Sequence, residues 1–314
     1  GWRLRSMEQH VTVVVNPRSK LGATGRGWPE MERALRQTWP SLQARLTEGP
    51  EHATTLARDA VRGGAELVIA IGGDGTNNEV VNGFFDAESQ PLATAAAFAF
   101  IGSGTGSDLG RSLCSQDSLQ ARIDAIAGSA GRRIDVGRVT FVDHEGRERR
   151  RIFVNISSFG VSGMVVRAVN ARSSGGRVAY ALETARAIFR YRNCPVAISV
   201  DGGEPSELEL TLCAVANGQF FGGGMQIAPH AVVDDGQFDV VRVWGWRPIG
   251  FLANASKVYK GAHLGMRGVA ESRGRQVVAR PVRGDEVLLD VDGEQPGRLP
   301  ASFELLPAAL NLRG

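Results

Sequence analysis

The run Gly72-Gly73-Asp74-Gly75-Thr76 combines three glycines with one carboxylate and one hydroxyl, directly after the apolar residues 67–71. Backbone N–H groups at such a strand end can converge on phosphate oxygens, and glycine lets the backbone approach closely. A carboxylate inside an anion-binding loop repels phosphate unless it holds Mg²⁺ or orients an attacking hydroxyl. Asp74 is therefore a candidate for catalytic chemistry. A tight turn in which Asp74 caps the next helix is the competing interpretation, because short glycine motifs often match by chance.

Two further loops have a related composition. Gly102-Ser103-Gly104-Thr105-Gly106-Ser107-Asp108 follows a second apolar run, and Asn16-Pro17-Arg18-Ser19-Lys20 follows a third. Loops at the carboxyl ends of parallel strands lie at one edge of a sheet, so the three together predict a nucleotide pocket. The spacing of the Walker loop is absent, and so is a dinucleotide Gly-x-Gly-x-x-Gly after the first strand. The sequence thus favours a nucleotide site of another kind.

Regular elements must position these loops, and the apolar pattern predicts them. Short β-branched runs typical of buried strands alternate with segments of helical spacing, which predicts a doubly wound α/β domain over residues 1–131. The predicted strands are Val11–Val15, 41–47, 67–71 and 95–101, and the predicted helices are 28–39, 53–61 and one capped by Thr76 that runs to Phe84.

Strand-like segments dominate after Gly131 and predict a second, β-rich domain over residues 132–301. The tail at about 302–314 is expected to pack back on the first domain. The predicted strands are 134–142, 151–156, 196–200, 208–215, 238–243, 277–282 and 287–291, with helices at 161–171, 178–191 and 249–259. Basic residues in 161–192 could contact a membrane, although a solvated helix face is the favoured interpretation.

Composition argues against several classes of protein. The net charge is +3 and the basic residues are scattered, so nucleic-acid binding is not indicated. The three cysteines, Cys114, Cys194 and Cys213, are widely separated, which predicts neither a disulfide framework nor a zinc site and fits a reducing cytoplasm. The longest apolar stretch, 92–101, is too short to span a bilayer, and no signal-like apolar segment is seen at the start of the sequence. Any membrane contact is expected to be peripheral.

An ordered set of short motifs covers nearly the whole chain. They are Val14-Val15-Asn16-Pro17, Thr47, His52-Ala53, Gly72-Gly73-Asp74-Gly75-Thr76-Asn77-Asn78-Glu79-Val80, Gly104-Thr105-Gly106-Ser107-Asp108, Ala216-Asn217-Gly218, Gly222-Gly223-Gly224-Met225, Pro229, Asp234-Asp235-Gly236 and Asp292-Gly293-Glu294. This set closely resembles the diacylglycerol kinase catalytic-domain family, which includes bacterial lipid kinases, sphingosine kinases and ceramide kinases.

The resemblance implies an N-terminal domain related to phosphofructokinases and NAD kinases, a C-terminal sandwich-like domain and an active-site cleft between them. It also implies roles for individual residues. The expected ATP contacts are Asn16, Pro17, Arg18, Ser19, Lys20, Thr47, Gly72, Gly73, Asp74, Gly75, Thr76, Asn77, Asn78, Glu79, Gly104 and Thr105. The family has an acidic network near Mg²⁺, which Asp74, Asp108 and Asp135 resemble. It also has a proton acceptor, to which either Asp292 or Glu294 would correspond. Val232, Asp235 and Gln237 would hold a structural Mg²⁺.

Two of these expectations have plain structural alternatives. Asp292-Gly293 is a favoured turn pair between strands, so the segment could be a simple hairpin turn. Asp235-Gly236 could likewise be an ordinary turn. Many family members carry Asn where this chain has Ser107, and a hydroxyl cannot reproduce the donor and acceptor pair of an amide. Lipid preference or nucleotide geometry can differ accordingly.

The leading functional hypothesis is an ATP-dependent, Mg²⁺-requiring lipid kinase that phosphorylates a hydroxyl of diacylglycerol or a related lipid. The alternatives are a small-molecule kinase similar to NAD kinase and an inactive, lipid-binding regulatory protein. All five candidate acidic residues are present, which gives no reason to expect loss of activity. The protein is expected in the cytoplasm, at the periphery of the membrane that carries its lipid substrate. No nucleic-acid partner is expected, and the formation of a homodimer is left open.

Overall fold

The structure is a computed structural model that describes residues 8–102, 107–113, 118–171 and 177–314. Contacts between residues divide the chain into two units. The first comprises the chain up to Val136 together with Pro307–Gly314, and the second is Gly137–Leu306. The chain passes from one unit to the other within strand β5 (Arg132–Asp143) and again within strand β14 (Gly297–Leu312).

The first unit is built on a parallel sheet in the order β2-β1-β3-β4. Beyond β4, Leu312 from the end of β14 pairs with Phe98, also in parallel. The strands are β1 (Val11–Val15), β2 (Gln43–Leu46), β3 (Leu67–Gly72) and β4 (Ala97–Gly102). The helices are α1 (Ala23–Thr38), α2 (His52–Arg62), α3 (Asp74–Asn82), α4 (Asp108–Leu113) and α5 (Leu119–Gly128).

Every residue of β1 and β3 is buried, as expected of central parallel strands that are covered on both faces. Trp28, Leu35 and Trp39 of the α1 region pack in the cluster on one face of this sheet. The predicted strand and helix order of this domain is therefore confirmed. The predicted helix cap at Thr76 is wrong, because α3 begins two residues earlier, after extended Gly73.

The second unit is β-rich and mainly antiparallel, with strands in the order β11-β10-β9-β8-β12-β14. In addition, β7 pairs with β9 and β13, and β5 pairs with β6 and β14. The strands not yet given are β6 (Glu148–Phe153), β7 (Ile156–Gly160), β8 (Cys194–Val200), β9 (Ser206–Ala216), β10 (Phe238–Trp244), β11 (Val269–Gly274), β12 (Gln276–Pro281) and β13 (Leu289–Val291). Its helices are α6 (Val161–Asn170), α7 (Arg177–Arg190) and α8 (Pro248–Tyr259).

Four phenylalanines form the centre of this unit. Phe153 stacks on Phe238, Phe159 stacks on Phe303, and the edge of Phe153 meets Phe303 at a centroid distance of 6.4 Å. Gly137 is required beside them, because a Cβ there would lie 2.1 Å from the Phe153 ring. The predicted fold class, an N-terminal α/β domain and a C-terminal β-rich domain, is confirmed. None of the helices formed by the described residues is long and apolar enough to cross a membrane.

Candidate functional site

The glycine motif forms the turn from β3 into α3. A Cβ at Gly72 would lie 2.4 Å from the Thr76 hydroxyl oxygen, so close packing of the turn requires glycine there. Gly73 is different, because a Cβ at this position would meet no atom of the described residues within 4 Å. The first turn of a helix has N–H groups without intrahelical acceptors, and they carry the positive end of the helix dipole. Open space beside Gly73 thus lets an anion approach these donors.

The Asp74 carboxylate is bound by the loop that follows β4. It accepts hydrogen bonds from the Ser107 hydroxyl at 2.8 Å, from the Asp108 N–H at 3.0 Å and from the Leu109 N–H at 3.3 Å. Asp74 therefore caps α4, a helix other than its own, and joins two of the three predicted loops. Ser107 stands where many family members carry Asn, and this difference has a structural consequence. Its hydroxyl donates one of the hydrogen bonds that the Asp74 carboxylate accepts. Gly104 and Thr105 of the same loop lie outside the described residues.

The first loop approaches the same turn. The Asn16 side-chain amide donates to the Thr76 hydroxyl at 3.1 Å, while its Oδ1 accepts from the Arg18 N–H at 3.1 Å. Partial burial lowers the pKa of Lys20, and attraction to Asp74 opposes that effect. Loop residues 16–20 thus bring a lysine cation and the Asn16 amide donor to the Asp74 turn, and positive charge there would offset the charge of Asp74.

Four other predicted nucleotide contacts are buried or hydrogen-bonded within the first unit, and their contact with a nucleotide stays a prediction. Thr47 is 8 % exposed, and its N–H donates to the Val15 carbonyl at 2.8 Å. Asn77 and Asn78 are buried on the inner side of α3, at 1 % and 0 % exposure. The Glu79 carboxylate accepts from N–H groups at the start of α2, those of Glu51 and Ala53 at 3.1 and 3.3 Å. The side chains of Asn77 and Asn78 are therefore buried in the first unit, and that of Glu79 joins α3 to the start of α2.

The predicted metal ligands of the first unit have partners within the protein. Asp108 forms an ion pair with Arg111 at 2.8 Å, and Asp135 accepts from the Ala308 N–H at 2.8 Å. Among the described residues there is no group of three or more His, Cys, Asp and Glu side chains that could hold a metal ion. Mg²⁺ is commonly bound by one or two carboxylates together with phosphate oxygens, and Asp74 and Asp108 are hydrogen-bonded neighbours. The donor chemistry of these two residues fits such a nucleotide-bound ion.

In the second unit, Asp292 and Gly293 form a two-residue hairpin turn. Both have positive φ, 48° and 88°, as in the tight turns that favour Asp-Gly, and Val291 and Glu294 exchange backbone hydrogen bonds at 2.8 and 3.0 Å. The Asp292 carboxylate is 7 % exposed and accepts from three consecutive N–H groups, those of residues 154, 155 and 156, at 2.8 to 3.0 Å. Asp292 therefore anchors the turn to the chain before β7, while Glu294 is half-buried.

Two residues that the sequence did not single out support this turn. Buried Asp290 accepts from the Gly293 N–H at 2.8 Å and lies beside the Ser158 hydroxyl. The Asn155 side chain donates to the Phe220 carbonyl at 2.8 Å and connects the turn region to the motif that begins at Ala216-Asn217-Gly218. In β13 the alternation would place Asp290 on the face opposite Leu289 and Val291, yet all three residues are buried, so no signal in the sequence separated Asp290 from a surface aspartate.

The loop predicted to hold a structural Mg²⁺ forms a compact turn. Asp235 accepts from the Gln237 N–H at 3.0 Å, and Gly236 has a φ of 76°. Val232 is 46 % exposed. This geometry is that of a side-chain-stabilised turn, and the metal role of Val232, Asp235 and Gln237 stays a prediction.

Solved structures define the class of protein to which this architecture belongs. A Bacillus anthracis protein described as a candidate diacylglycerol kinase superposes with a TM-score of 0.76 at 24 % identity, covering 97 % of this chain and 94 % of its own. An Archaeoglobus fulgidus NAD kinase, solved in complex with ATP, superposes with a TM-score of 0.50 at 12 % identity over 96 % and 92 % of the two chains. The fold is that of the two-domain kinases to which NAD kinases and diacylglycerol kinase-like proteins belong.

Sequence comparison identifies the family. Residues 10–139 match the diacylglycerol kinase catalytic domain, and residues 155–314 match the YegS C-terminal NAD kinase beta sandwich-like domain. Diacylglycerol kinases from Bacillus subtilis strain 168 and Mycobacterium tuberculosis H37Rv are 27 % and 28 % identical, over 93 % and 96 % of this chain and 91 % and 94 % of theirs. The chain belongs to the diacylglycerol kinase-like family of lipid kinases, and the predicted resemblance and enzyme class are confirmed.

Proposed function

We propose that the protein transfers the γ-phosphoryl group of ATP to a hydroxyl of diacylglycerol or a related lipid, with Mg²⁺ bound to the nucleotide. One observation carries the nucleotide half of this proposal. The Asp74 carboxylate joins the β3–α3 turn to the start of α4, and the charge of Lys20 interacts with it. Two loops of a parallel sheet and one cation are thereby held around the open space at Gly73, an arrangement suited to phosphate groups.

The nucleotide residues divide into two kinds. The N–H groups of the first turn of α3 would donate to phosphate oxygens, and Lys20 would balance their charge. Asn16 would fix the Thr76 side chain, through the bond that it already makes, so that the turn keeps its shape. A bound Mg²⁺ would neutralise charge on the phosphates, and Asp74 and Asp108 are the carboxylates with the chemistry to hold it.

The two carboxylates of the hairpin turn would have different tasks. A carboxylate can accept about four hydrogen bonds, one along each lone-pair direction. The Asp292 carboxylate already accepts three from backbone N–H groups. Asp292 is therefore proposed to position the turn. Glu294, two residues further on, is proposed to accept the hydroxyl proton as the lipid oxygen forms its bond to the γ-phosphorus. The bond between that phosphorus and the bridging oxygen breaks, and ADP leaves with the electron pair.

The acceptor can be tested with isotopically labelled ATP, Mg²⁺ and a total lipid extract, followed by mass spectrometry of the products. Labelled phosphate on diacylglycerol or a related lipid alcohol is the expected result. Family membership and the Asp292-Gly293-Glu294 turn support a lipid acceptor over a small molecule. Phosphorylation of NAD with no labelled lipid would instead establish the NAD kinase-like alternative. Nucleotide or lipid binding without any turnover would establish the regulatory alternative.

The donor is tested separately by comparing ATP with other nucleoside triphosphates at equal concentration, with and without EDTA. Loss of turnover on chelation and its return with added Mg²⁺ are expected. Turnover that persists in EDTA would exclude the proposed role of the cation. Peripheral contact with the membrane is part of the same proposal, because the acceptor lipid resides in a bilayer.

A further inference from the structure

Helix α8 presents large apolar side chains on its exposed face. Ile249 is 72 % exposed, Leu252 is 38 % exposed and Tyr259 is 47 % exposed. Spacings of three and ten residues from Ile249 place all three on one side of the helix. Phe251 and Val258, on the opposite side, are buried in the core of the second unit. One face of α8 thus anchors it, and the other leaves apolar surface uncovered by the described residues.

The segment of the sequence that contains α8 carries charge of a single sign. Residues 240–270 contain no Asp or Glu and five basic residues, although the whole chain is nearly balanced with 36 basic and 33 acidic residues. The local excess is therefore not a consequence of composition. Four of the five are exposed, namely Arg247, Lys257, Lys260 and Arg267.

The helix is held firmly in place. The Trp246 indole N–H donates to the Arg267 carbonyl at 3.0 Å, and its ring meets Phe251 edge-on at a centroid distance of 6.2 Å. The Trp246 N–H donates to the Thr211 hydroxyl at 3.2 Å. Helix α7 packs against α8 in the same unit. It also has exposed aromatic and aliphatic residues, Tyr180, Leu182 and Phe189.

We propose that the exposed face of α8, formed by Ile249, Leu252 and Tyr259 with Lys257 and Lys260, docks on an anionic lipid bilayer. This inference rests on the proposed function, in which the acceptor is a membrane lipid. Apolar side chains on one helix face can insert at the headgroup boundary, while Lys and Arg are attracted to anionic headgroups. The absence of acidic residues over this segment favours an anionic bilayer over a protein surface of mixed charge.

The test is cosedimentation of the full chain with vesicles of phosphatidylcholine alone and of equal parts phosphatidylcholine and phosphatidylglycerol. The wild type is expected to bind the anionic vesicles more tightly, and added salt is expected to weaken that binding. The double variant Lys257→Gln, Lys260→Gln should lose about fivefold in affinity for each charge, or about 25-fold in total. The double variant Ile249→Ser, Leu252→Ser should lose at least about tenfold.

Val278→Ser is the matched control, because Val278 is an apolar residue of β12 in the same unit and is 41 % exposed. It should bind vesicles like the wild type. Activity on diacylglycerol dispersed in detergent should be unchanged in all three variants, which also shows that they are folded. No binding by the wild type, or equal binding by the wild type and both double variants, would overturn the docking surface. Vesicle binding without activity in detergent would instead count against the proposed function alone.

Discussion

Replacing Asp74 with Ala should remove activity and also loosen the first unit. The carboxylate accepts three hydrogen bonds, from Ser107, Asp108 and Leu109, and two of these come from the N-terminus of α4. Loss of a side-chain helix cap costs about 0.5 to 2 kcal/mol. The third bond, to a hydroxyl that water can reach in part, adds about 1 kcal/mol. The expected loss in the free energy of unfolding is therefore about 1.5 to 3 kcal/mol.

Denaturant unfolding measured by tryptophan fluorescence reports this loss, because Trp28 and Trp39 are buried in the first unit. Turnover with ATP and dispersed lipid is measured in parallel, under conditions where the variant is folded. Asp74→Asn separates the two roles. Its amide keeps one oxygen that can accept from Ser107 and Leu109, so most of the stability should remain while turnover stays low.

Asp59→Ala, at an exposed position of α2, is the control. The stability of this variant should stay within about 0.5 kcal/mol of that of the wild type. Two results would refute the reasoning. Wild-type stability of Asp74→Ala would show that the three hydrogen bonds contribute nothing to holding α4. Normal turnover by the same variant would remove Asp74 from the chemistry.

Four other variants test separate parts of the structure. Glu294→Gln should lower kcat about 10² to 10⁴-fold without a change in the free energy of unfolding. Asp292→Ala should lower that free energy by about 3 kcal/mol or more, since it leaves three buried N–H groups without an acceptor. Stopped assays measure kcat, and denaturant melts measure the stability of both variants. Gly72→Ala should cost about 1 to 3 kcal/mol in melts, because its Cβ would collide with Thr76. Burial raises the pKa of Asp239 to about 6, although the paired Arg273 opposes that shift. The stability that this group provides is therefore present below about pH 4 and is lost as the pH rises through 6, and Asp239→Asn should remove this pH dependence from melts at a series of pH values.

The parts of the fold that the sequence predicted well are those in which one physical signal dominates. β1 has the predicted bounds, because five consecutive apolar or β-branched residues end at Asn16-Pro17. β11 and β14 were missed. The first is short and half polar, and the second contains Pro300 and Pro307, which in a sequence usually indicate a loop or an edge strand. In the structure, partners on neighbouring strands hold both segments extended.

Candidate site residues could be found from their types, but their tasks depended on contacts that are distant in the chain. Asp74 is bound by residues more than thirty positions later, and Asp292 by residues more than a hundred positions earlier. Neither distance is visible in a local pattern. The same limit hid the contact between the Glu79 carboxylate and the start of α2, while its predicted contact with the nucleotide stays a prediction.

The turns that contain Asp74 and Asp292 are built in the same way. Because of this, the interpretation of each motif as a structural turn does not conflict with its interpretation as a catalytic element. Each places an aspartate in a glycine turn, and each binds that aspartate to successive backbone N–H groups of another segment, residues 108 and 109 for Asp74 and residues 154 to 156 for Asp292. These hydrogen bonds hold each turn to another segment of the chain. The turn needs no additional residue for this purpose, because the acceptor is its own aspartate. Under the proposed function, a helix cap and a hairpin turn would be the means by which these motifs hold the reacting groups in place. A motif of this kind can be a structural turn and a catalytic element together.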